Sequence, residues 1–366
     1  MRRVGSRSPI FKSSNPQIFK SPPLAAVVQS TKEAPFSNLQ IGSPFSNYQI
    51  TKLNPLPYLC APKFLIFMLR AETAITRVPA LVRGKARDYS LLLKPNLSFM
   101  VVFSSVIGYL MAPGIHFEIL PVLQLFVGGM LVTGGANTLN QILERDIDAL
   151  MHRTRERPLP TGRMTQTEAL ILATAAGLGG SILITLTFNP LAGLLSMLSL
   201  VLYAFAYTPM KRIHPISVFI GAIPGAMPPL IGWAAATGNV SLGGWLLFLI
   251  QFFWQFPHYW AIAWVCFEDY ARANLRMLPS HEGKTRFTGL QCMFYSIVLV
   301  PLVVLPRVIG MSGNIGMYVS MACGIGYFLA SMNFFIKNDH KSAKRVMFSS
   351  FIYLPVVLLA LYFNKL

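Results

Sequence analysis

The sequence carries little charge for its length, and acidic residues are especially scarce. Only 12% of the 366 residues are Asp, Glu, Lys or Arg, whereas 54% are hydrophobic. A soluble domain has about twice that charged fraction, and a disordered chain is more polar still. The composition therefore argues against a soluble enzyme and against disorder for most of the chain.

Cysteine is also scarce, and its four copies lie far apart, mostly within apolar runs. This is neither a disulfide framework nor a metal-binding spacing. Lys and Arg number 31 against 13 Asp and Glu, which gives a formal net charge of +18. Such a balance often indicates nucleic-acid binding, but these basic residues are scattered between apolar runs. The positive-inside rule of membrane proteins explains the scatter better, so no nucleic-acid partner is expected.

The first 85 residues differ from the rest of the chain. They hold 12 Lys and Arg but only Glu33 and Glu72, and the stretch 6–57 is rich in Ser, Pro, Asn and Gln. We predict a disordered basic extension over 1–85 and a membrane domain over 86–366. Two interpretations of the extension stay open: an organellar transit peptide, or a non-native start with Met68 as the true first residue.

Apolar runs of membrane-spanning length recur after residue 86. A bilayer core needs about 20 apolar residues per helix, and backbone polar groups in lipid must be satisfied within each element. The runs therefore predict an all-α polytopic membrane protein with nine transmembrane helices. Their approximate bounds are 97–113, 118–140, 167–187, 190–207, 216–236, 242–265, 287–307, 311–335 and 345–363.

Basic residues between these runs are distributed asymmetrically. Of the 19 Lys and Arg after residue 85, 17 fall on one side of the membrane and only Arg307 and Lys365 on the other. The positive-inside rule then places the N-terminus inside and the C-terminus outside. Ten of the eleven acids in this region fall on the same inner side, so we expect the chemistry to face inward.

An acidic segment follows the second run. Asn140, Glu144 and Asp148 are spaced four residues apart. A continuous helix would place them on one face together with Asn137. Carboxylates crowded at a membrane boundary repel one another and are costly to desolvate, and a divalent cation would relieve both costs. Oxygen-only ligands suit Mg²⁺, which takes one or two carboxylates together with substrate phosphates.

Arginines come directly after this acidic face. Arg153, Arg155 and Arg157 precede two prolines, and arginine binds phosphate oxygens bidentately. The acidic face and the arginines together indicate a magnesium-diphosphate site. A solvated loop held by its own salt bridges is the structural alternative, and the helical register and the flanking amide weigh against it.

A second polar set lies within the sixth run. Gln251, Gln255 and His258 follow helical spacing, among aromatic residues that include Trp254. Polar side chains at membrane depth usually face a cavity or a neighbouring helix. We therefore predict that Gln255, His258 and Trp254 border a ligand cavity. A hydrogen-bonded packing role for His258 is the alternative.

Several motifs together resemble a known family. The pattern N-x-x-x-E-x-x-x-D at 140–148, followed by R-T-x-x-R-P-L at 153–159, resembles the first acidic motif of UbiA-type intramembrane prenyltransferases. The segments PPLIGW at 228–233 and WQFPH at 254–258 are most similar to the branch that farnesylates protohaem IX. The resemblance covers almost all of 89–366, and it implies a nine-helix bundle around a lipid-open cavity.

The resemblance implies roles for individual residues. The implied cofactor is Mg²⁺, and its implied ligands, which are also the catalytic residues, are Asn140, Glu144, Asp148 and Asp269. Diphosphate binding would come from the basic residues Arg153, Arg157, Lys211, Arg212 and Arg272. The acceptor cavity would be bordered by Trp254, Gln255 and His258. In the second acidic motif, Asn274 stands where this family often has glycine.

The implied reaction moves a farnesyl group from farnesyl diphosphate to the vinyl group of haem B, giving haem O and diphosphate. A prenyltransferase with an aromatic or quinone acceptor is the alternative. A transporter is less favoured, because the carboxylates lie at the inner boundary and not at the midplane. We expect a bacterial inner membrane with the site facing the cytoplasm, or a mitochondrial inner membrane if the extension is a transit peptide. A haem A synthase or oxidase-assembly protein is the expected partner.

Overall fold

All nine predicted apolar runs are helical in the structure. The computed structural model describes residues 80–280 and 282–366, and this part of the chain contains no β-strand. Most of the predicted extension therefore lies outside the described residues, and its last residues, from Ala80, belong to the first helix. The prediction of an all-α membrane protein is confirmed.

Ten main helices are numbered here in chain order. They are α1 (Ala80–Leu93), α2 (Pro95–Met111), α3 (Ile119–Leu143), α4 (Gln166–Thr187), α5 (Pro190–Val201), α6 (Ser217–Thr237), α7 (Leu242–Val265), α8 (Arg286–Leu302), α9 (Asn314–Lys337) and α10 (His340–Phe363). A π-helical segment, Leu202–Tyr207, and one turn, Thr208–Met210, continue α5. Short helices follow α3, α7 and α8, at Arg145–Asp148, Phe267–Arg272 and Leu305–Val308.

The number of membrane spans differs from the prediction. Seven helices of the described chain are long and apolar enough to cross a membrane, and an eighth span results if α1 and α2, bent by 42°, count as one. The predicted count of nine is therefore not confirmed. Helix α7 has a sufficient 24 residues but is not among the seven. Its Gln251, Gln255 and His258 reduce its apolar character.

The helices pack as two groups that share α6. In the first group, α3 contacts α2, α4 and α5, α4 also contacts α5, and α2 and α5 contact α6. In the second group, α7 contacts α6, α8 and α10. Helix α10 also touches α2, so the last helix of the second group contacts the first group directly. Each group has its own apolar core, and α6 is the most enclosed of the seven spanning helices, with 78% of its apolar window buried.

Three prolines interrupt the hydrogen bonding of α6. Because proline has no N–H, the carbonyl four residues earlier loses its helical partner. The carbonyls left free by Pro228 and Pro229 accept hydrogen bonds from Ser199 Oγ at 3.1 Å and Gln251 Nε2 at 2.8 Å. Side chains of neighbouring helices therefore replace the lost backbone bonds, as a membrane interior requires.

Lys365, just beyond α10, links that helix to the end of α2 and to the loop that follows α2. Its Nζ donates to the carbonyls of Leu110, Ala112 and Ile115 at 2.8, 2.6 and 2.9 Å. We expect Lys365→Met to lower the free energy of unfolding by about 1–3 kcal/mol, because it removes three charge-assisted hydrogen bonds. Thermal unfolding of the purified protein in detergent measures the change. Lys341→Met, an exposed lysine on α10, is the control, and equal melting of the two variants would contradict the prediction.

Candidate active site

The predicted acidic face lies across a break in the helix. Helix α3 ends at Leu143, and Glu144 leaves helical geometry with φ −101° and ψ 11° before the short helix Arg145–Asp148 begins. The continuous helix expected here is therefore absent. Hydrogen bonds still run from Glu144 N to Asn140 O and from Asp148 N to Glu144 O. The three predicted side chains consequently border one pocket despite the break.

This polar pocket has a volume of about 100 Å³ and combines acidic, basic and aromatic side chains. Six predicted site residues border it: Asn140, Glu144, Asp148, Arg153, Arg157 and Lys211. They come from α3, from the segment between α3 and α4, and from the end of the α5 extension. The fold thus gathers segments that are more than fifty residues apart in sequence.

Both carboxylates of the polar pocket are buried and paired with cations. Glu144 is 5% exposed and Asp148 is 1% exposed. Asp148 Oδ2 accepts a hydrogen bond from Arg157 Nη1 at 2.6 Å, and Lys211 Nζ lies 3.0 Å from Glu144 Oε1. Burial alone would lower the pKa of Lys211, but the Glu144 carboxylate outweighs it and raises that pKa above its ordinary value.

Two carboxylate oxygens of the pocket have no hydrogen-bond partner within the described residues: Glu144 Oε1, which lies 3.0 Å from Lys211 Nζ, and Asp148 Oδ1. Asp148 Oδ1 is buried and accepts no hydrogen bond within the described residues. Such an oxygen is costly to bury, and it is the donor type that hard divalent cations prefer. No group of three or more His, Cys, Asp or Glu side chains that could hold a metal forms within 80–280 and 282–366. The donors therefore fit a cation that takes its remaining ligands from an amide and from substrate oxygens.

Asp269 lies beside the polar pocket but does not border it. Its Oδ1 accepts hydrogen bonds from Arg272 Nη2 at 2.7 Å and from the backbone N–H of His152 at 3.3 Å. The neighbouring Tyr270 borders the pocket, and its hydroxyl lies 3.5 Å from Arg153 Nη2. The predicted pair Asp269 and Arg272 is thus bonded to each other at the edge of the site.

Asn274 and Arg212, two further residues singled out in the sequence, lie between helices and do not border the polar pocket. Asn274 takes φ 50°, so the left-handed turn expected of glycine forms there with asparagine, which tolerates that conformation. Arg212, predicted to bind diphosphate, donates to the carbonyl of Leu143 at 3.1 Å. It therefore satisfies a backbone carbonyl at the end of α3, and it does not border the polar pocket.

An apolar cavity of about 190 Å³ adjoins the polar pocket, and Tyr207 borders both. Its walls come from α2, α3, α5 and α6, with aliphatic side chains such as Val102, Val132 and Ile231. Tyr203 and Tyr207 enter from the π-helical segment, a local geometry that is common at functional sites. A charged pocket next to an apolar cavity fits a ligand with an anionic head and a hydrocarbon tail.

Trp254 and His258 lie against α10 and border neither the polar pocket nor the apolar cavity. Trp254 Nε1 donates to the Ser350 carbonyl at 2.9 Å, and its ring stacks on the His258 imidazole with centroids 4.8 Å apart. Ser350 Oγ gives its proton to the Met347 carbonyl at 2.5 Å. Ser350 Oγ also lies within hydrogen-bond distance of His258 Nδ1, at 2.7 Å.

Gln255 supports the apolar cavity from behind. Its Nε2 donates to the carbonyls of Ala222 and Gln251 at 3.1 Å each. Its Oε1 lies where a Cβ on Gly225 would stand, and Gly225 itself borders the cavity. The amide therefore packs closely against Gly225 on the backbone of α6.

Sequence reasoning does not identify four polar residues that border the polar pocket, Lys94, Thr154, Tyr207 and Tyr270, or the apolar residues Met151, Leu275 and Met277. For two of them the sequence offers a local signal: Lys94 stands directly before Pro95, and Tyr207 stands directly before Thr208 and Pro209. Nothing in the local pattern distinguishes Lys94 from a lysine that anchors a membrane boundary. Its position depends on the bend between α1 and α2.

Comparison with known proteins identifies relatives over most of the chain. Residues 101–354 match the model of the UbiA prenyltransferase family. The protoheme IX farnesyltransferase of Cytophaga hutchinsonii is 43% identical over 278 residues, which cover 76% of this chain and 97% of that protein. The protein of the same name from Solibacter usitatus is 38% identical over 280 residues, covering 74% of this chain and 96% of the relative.

Solved structures share the fold. A digeranylgeranylglyceryl phosphate synthase superposes with a TM-score of 0.65 at 22% identity, covering 77% of this chain and 98% of that one. A UbiA homologue from Archaeoglobus fulgidus, bound to DMAPP and Mg²⁺, superposes with a TM-score of 0.56 at 19% identity, covering 75% and 99%. On the family model and the sequence identities, this chain belongs to the UbiA prenyltransferase family.

Proposed function

We propose that the protein transfers a farnesyl group from farnesyl diphosphate to the vinyl group of haem B, giving haem O and diphosphate. The observation that carries the proposal is a pocket of buried carboxylates and paired cations that adjoins an apolar cavity. The polar pocket fits the diphosphate of a prenyl diphosphate, and the apolar cavity fits its hydrocarbon chain. The acceptor is inferred from the relatives, which are named protoheme IX farnesyltransferases at up to 43% identity.

The oxygen donors of the polar pocket fit Mg²⁺, as the unpaired Asp148 Oδ1 indicates. Asn140, Glu144 and Asp148 would hold it, with Asp269 as a ligand from the second acidic motif. When bound, Mg²⁺ neutralises charge on the departing diphosphate. The protein's own contribution is to keep these carboxylates buried, where their interaction with a cation is little screened.

The cations of the site would bind the diphosphate oxygens. Arg153, Arg157 and Lys211 border the polar pocket. They would stabilise the charge that develops as the carbon–oxygen bond breaks. In this proposal Arg212 and Arg272 act from the edge of the site. Arg212 donates a hydrogen bond to the Leu143 carbonyl at the end of α3, and Arg272 donates to Asp269. Arginine suits this task because its fork of donors matches phosphate oxygens.

The apolar cavity would hold the farnesyl chain and keep bulk water from the reacting carbon. The bonding pair of the broken carbon–oxygen bond leaves with diphosphate, and the π electrons of the vinyl group form the new carbon–carbon bond. Water then adds to the resulting cation and loses a proton. In this proposal Trp254, Gln255 and His258 border the bound porphyrin.

The proposal includes a location and a membrane orientation. The 17 basic residues on one side favour a site that faces the cytoplasm of a bacterial inner membrane, or the matrix if the protein is mitochondrial. A partner from haem A synthesis or oxidase assembly stays a prediction.

Membranes that contain the protein should convert haem B to haem O when supplied with farnesyl diphosphate and Mg²⁺. Chelation with EDTA should stop the conversion, and added Mg²⁺ should restore it. Without the metal, the buried carboxylates stay paired with Arg157 and Lys211. Mass spectrometry of extracted haems measures the product. If haem B stays unmodified while an aromatic or quinone acceptor is prenylated, the alternative acceptor is correct.

A further inference from the structure

The apolar cavity has an inner end at the polar pocket and a far end deep within the bundle. Tyr207 borders both spaces, and Leu97 and Asn137 border the cavity near the inner ends of α2 and α3. Helices α2, α4 and α6 run away from this inner end, whereas α3 and α5 run towards it. Each of the five helices therefore contributes one cavity residue that lies farthest from the polar pocket. These residues, called the floor here, are Ser105, Gly129, Ile184, Ser196 and Ile231.

Neighbouring helices meet closely at the level of the floor. A Cβ on Gly128, next to the floor residue of α3, would stand 2.7 Å from Ile184 Cγ1 on α4. The carbonyl of Ser105 on α2 lies where a Cβ on Gly232 of α6 would stand. Floor residues of adjacent helices are thus at the same depth, and the helices leave little space between them there.

One helical turn farther from the polar pocket, the bundle is filled. The rings of Tyr109 and Phe188 lie 5.6 Å apart, and Asn189 Nδ2 donates to the carbonyls of Ala234 and Ala235 at 2.8 and 3.2 Å. Four residues beyond the floor on each helix, one residue packs into a common apolar cluster, and none of these residues borders the cavity. The cavity therefore has a blind end. This backing layer consists of Tyr109, Leu125, Phe188, Ala192 and Ala235.

The depth of the cavity matches three isoprene units. Leu97 and Ser105 are eight residues apart on α2, as are Asn137 and Gly129 on α3, so at 1.5 Å per residue the floor lies about 12 Å beyond the inner end. An extended isoprene unit has four main-chain bonds and is about 4–5 Å long, given ordinary carbon–carbon bond lengths and angles. Three units therefore need about 12–15 Å. A fourth unit would extend into the backing layer.

We propose that the floor sets the length of the prenyl chain, so that the site accepts farnesyl diphosphate and rejects geranylgeranyl diphosphate. This inference rests on the proposed function, and it assigns the choice of chain to residues outside the polar pocket. A C20 chain would press its last isoprene unit against the backing layer, which is already packed. A C10 chain would leave the far part of the cavity without hydrocarbon, and van der Waals contacts are lost across such a gap.

Ile184 and Ser196 allow the floor to be moved in opposite directions. Both residues are 1% exposed and border the cavity. Ile184→Ala removes three carbons from the floor and should admit a longer chain. Ser196→Leu places three carbons where a hydroxyl stands and should exclude the last isoprene unit of a farnesyl chain. In a hydrophobic pocket even one methylene changes discrimination by about 10–200-fold, so each substitution should alter the preferred chain by at least about tenfold.

A competition experiment with the full chain in lipid nanodiscs tests the floor. The protein receives haem B, Mg²⁺ and equal concentrations of geranyl, farnesyl and geranylgeranyl diphosphates, and mass spectrometry resolves the three prenylated haems. The unaltered protein should form mainly the C15 product. Ile184→Ala should raise the ratio of C20 to C15 product, and Ser196→Leu the ratio of C10 to C15 product, each by at least about tenfold. Partial unfolding of a variant lowers all products together and leaves these ratios unchanged.

Ile182→Ala is the matched control. Ile182 lies two residues from Ile184 on α4, but its side chain is 55% exposed and does not border the cavity. This variant should keep the product ratios of the unaltered protein. Unchanged ratios in Ile184→Ala or in Ser196→Leu, or an equal shift in Ile182→Ala, would overturn the proposal.

Binding measured without haem separates the floor from the proposed acceptor. Titration of the same variants with unreactive thiodiphosphate analogues of the C10, C15 and C20 substrates, in the presence of Mg²⁺, should show the same shifts in preferred chain. If these shifts occur while no haem is prenylated, the proposed acceptor is wrong and the assignment of the floor stands. If haem O forms but neither substitution changes the preferred chain, the floor assignment is wrong and the proposed function stands.

Discussion

Asp148→Asn is expected to reduce haem O formation by about 10³-fold or more, and Glu144→Gln by a similar factor. Each substitution keeps the size of the side chain but removes a charge that would hold the metal, and such charge stabilisation accounts for several kcal/mol of a transition state. Asp148 is 1% exposed and has one oxygen bound to Arg157 and the other unpaired. Haem O per milligram of membrane protein, measured by mass spectrometry, gives the factor.

Asp146→Asn provides the matched control for this experiment. Asp146 lies two residues away on the same short helix, its side chain is 87% exposed, and it pairs with Arg145 at the surface. Its replacement should leave the rate within about twofold, because exposed pairs contribute little. Glu144→Ala and Asp148→Ala should also abolish turnover while membrane insertion stays intact. Near-normal haem O from any variant of Glu144 or Asp148 would refute the assigned site.

For the acidic motif, the sequence predicts which residues share a site more accurately than it predicts the backbone geometry around them. Spacing by four residues correctly predicts that Asn140, Glu144 and Asp148 lie together. The spacing gives no indication of the break at Glu144. In the structure, backbone hydrogen bonds between residues four apart continue across the break. The side chains therefore keep their common direction although the helix does not continue.

The polar residues of α7 show what the sequence alone leaves undecided. Intramembrane glutamines and histidines predict either a cavity or a polar packing contact, and only the neighbouring helix decides. Gln251 satisfies a carbonyl that a proline of α6 leaves free, twenty-six residues earlier in the chain. His258 meets Ser350, which lies ninety-two residues later. Such partners depend on the packing of α6, α7 and α10, which periodicity does not contain.

The first helix pair shows a second kind of limit. Residues 80–93 have the composition of a basic extension and form no apolar run, yet they form α1 and lead into the bend at Lys94. The lysine count places Lys94 on the inner side. Its position at the polar pocket depends on the bend between α1 and α2, where the backbone at Lys94 is left-handed.

Gly232→Val is expected to cause the largest loss of stability, because it acts where α2 and α6 come closest. A Cβ on Gly232 would collide with the carbonyl of Ser105, and a Cβ on Gly108 would collide with the carbonyl of Pro229. Small residues allow such close approach of helix backbones in membranes. Backbone atoms cannot rotate away as side chains do, so valine at position 232 must separate the two helices.

The separation should lower the free energy of unfolding by about 3 kcal/mol or more, and it should also lower activity, because α2 and α6 both form walls of the apolar cavity. Thermal unfolding and gel filtration in detergent measure the first effect, and haem O formation measures the second. Gly179→Val is the matched control, since a Cβ at this mid-helix position on α4 has no atom within 4 Å. If both valine variants melt alike, close contact between α2 and α6 does not limit stability. If Gly232→Val alone unfolds early and loses activity, that contact holds the cavity together.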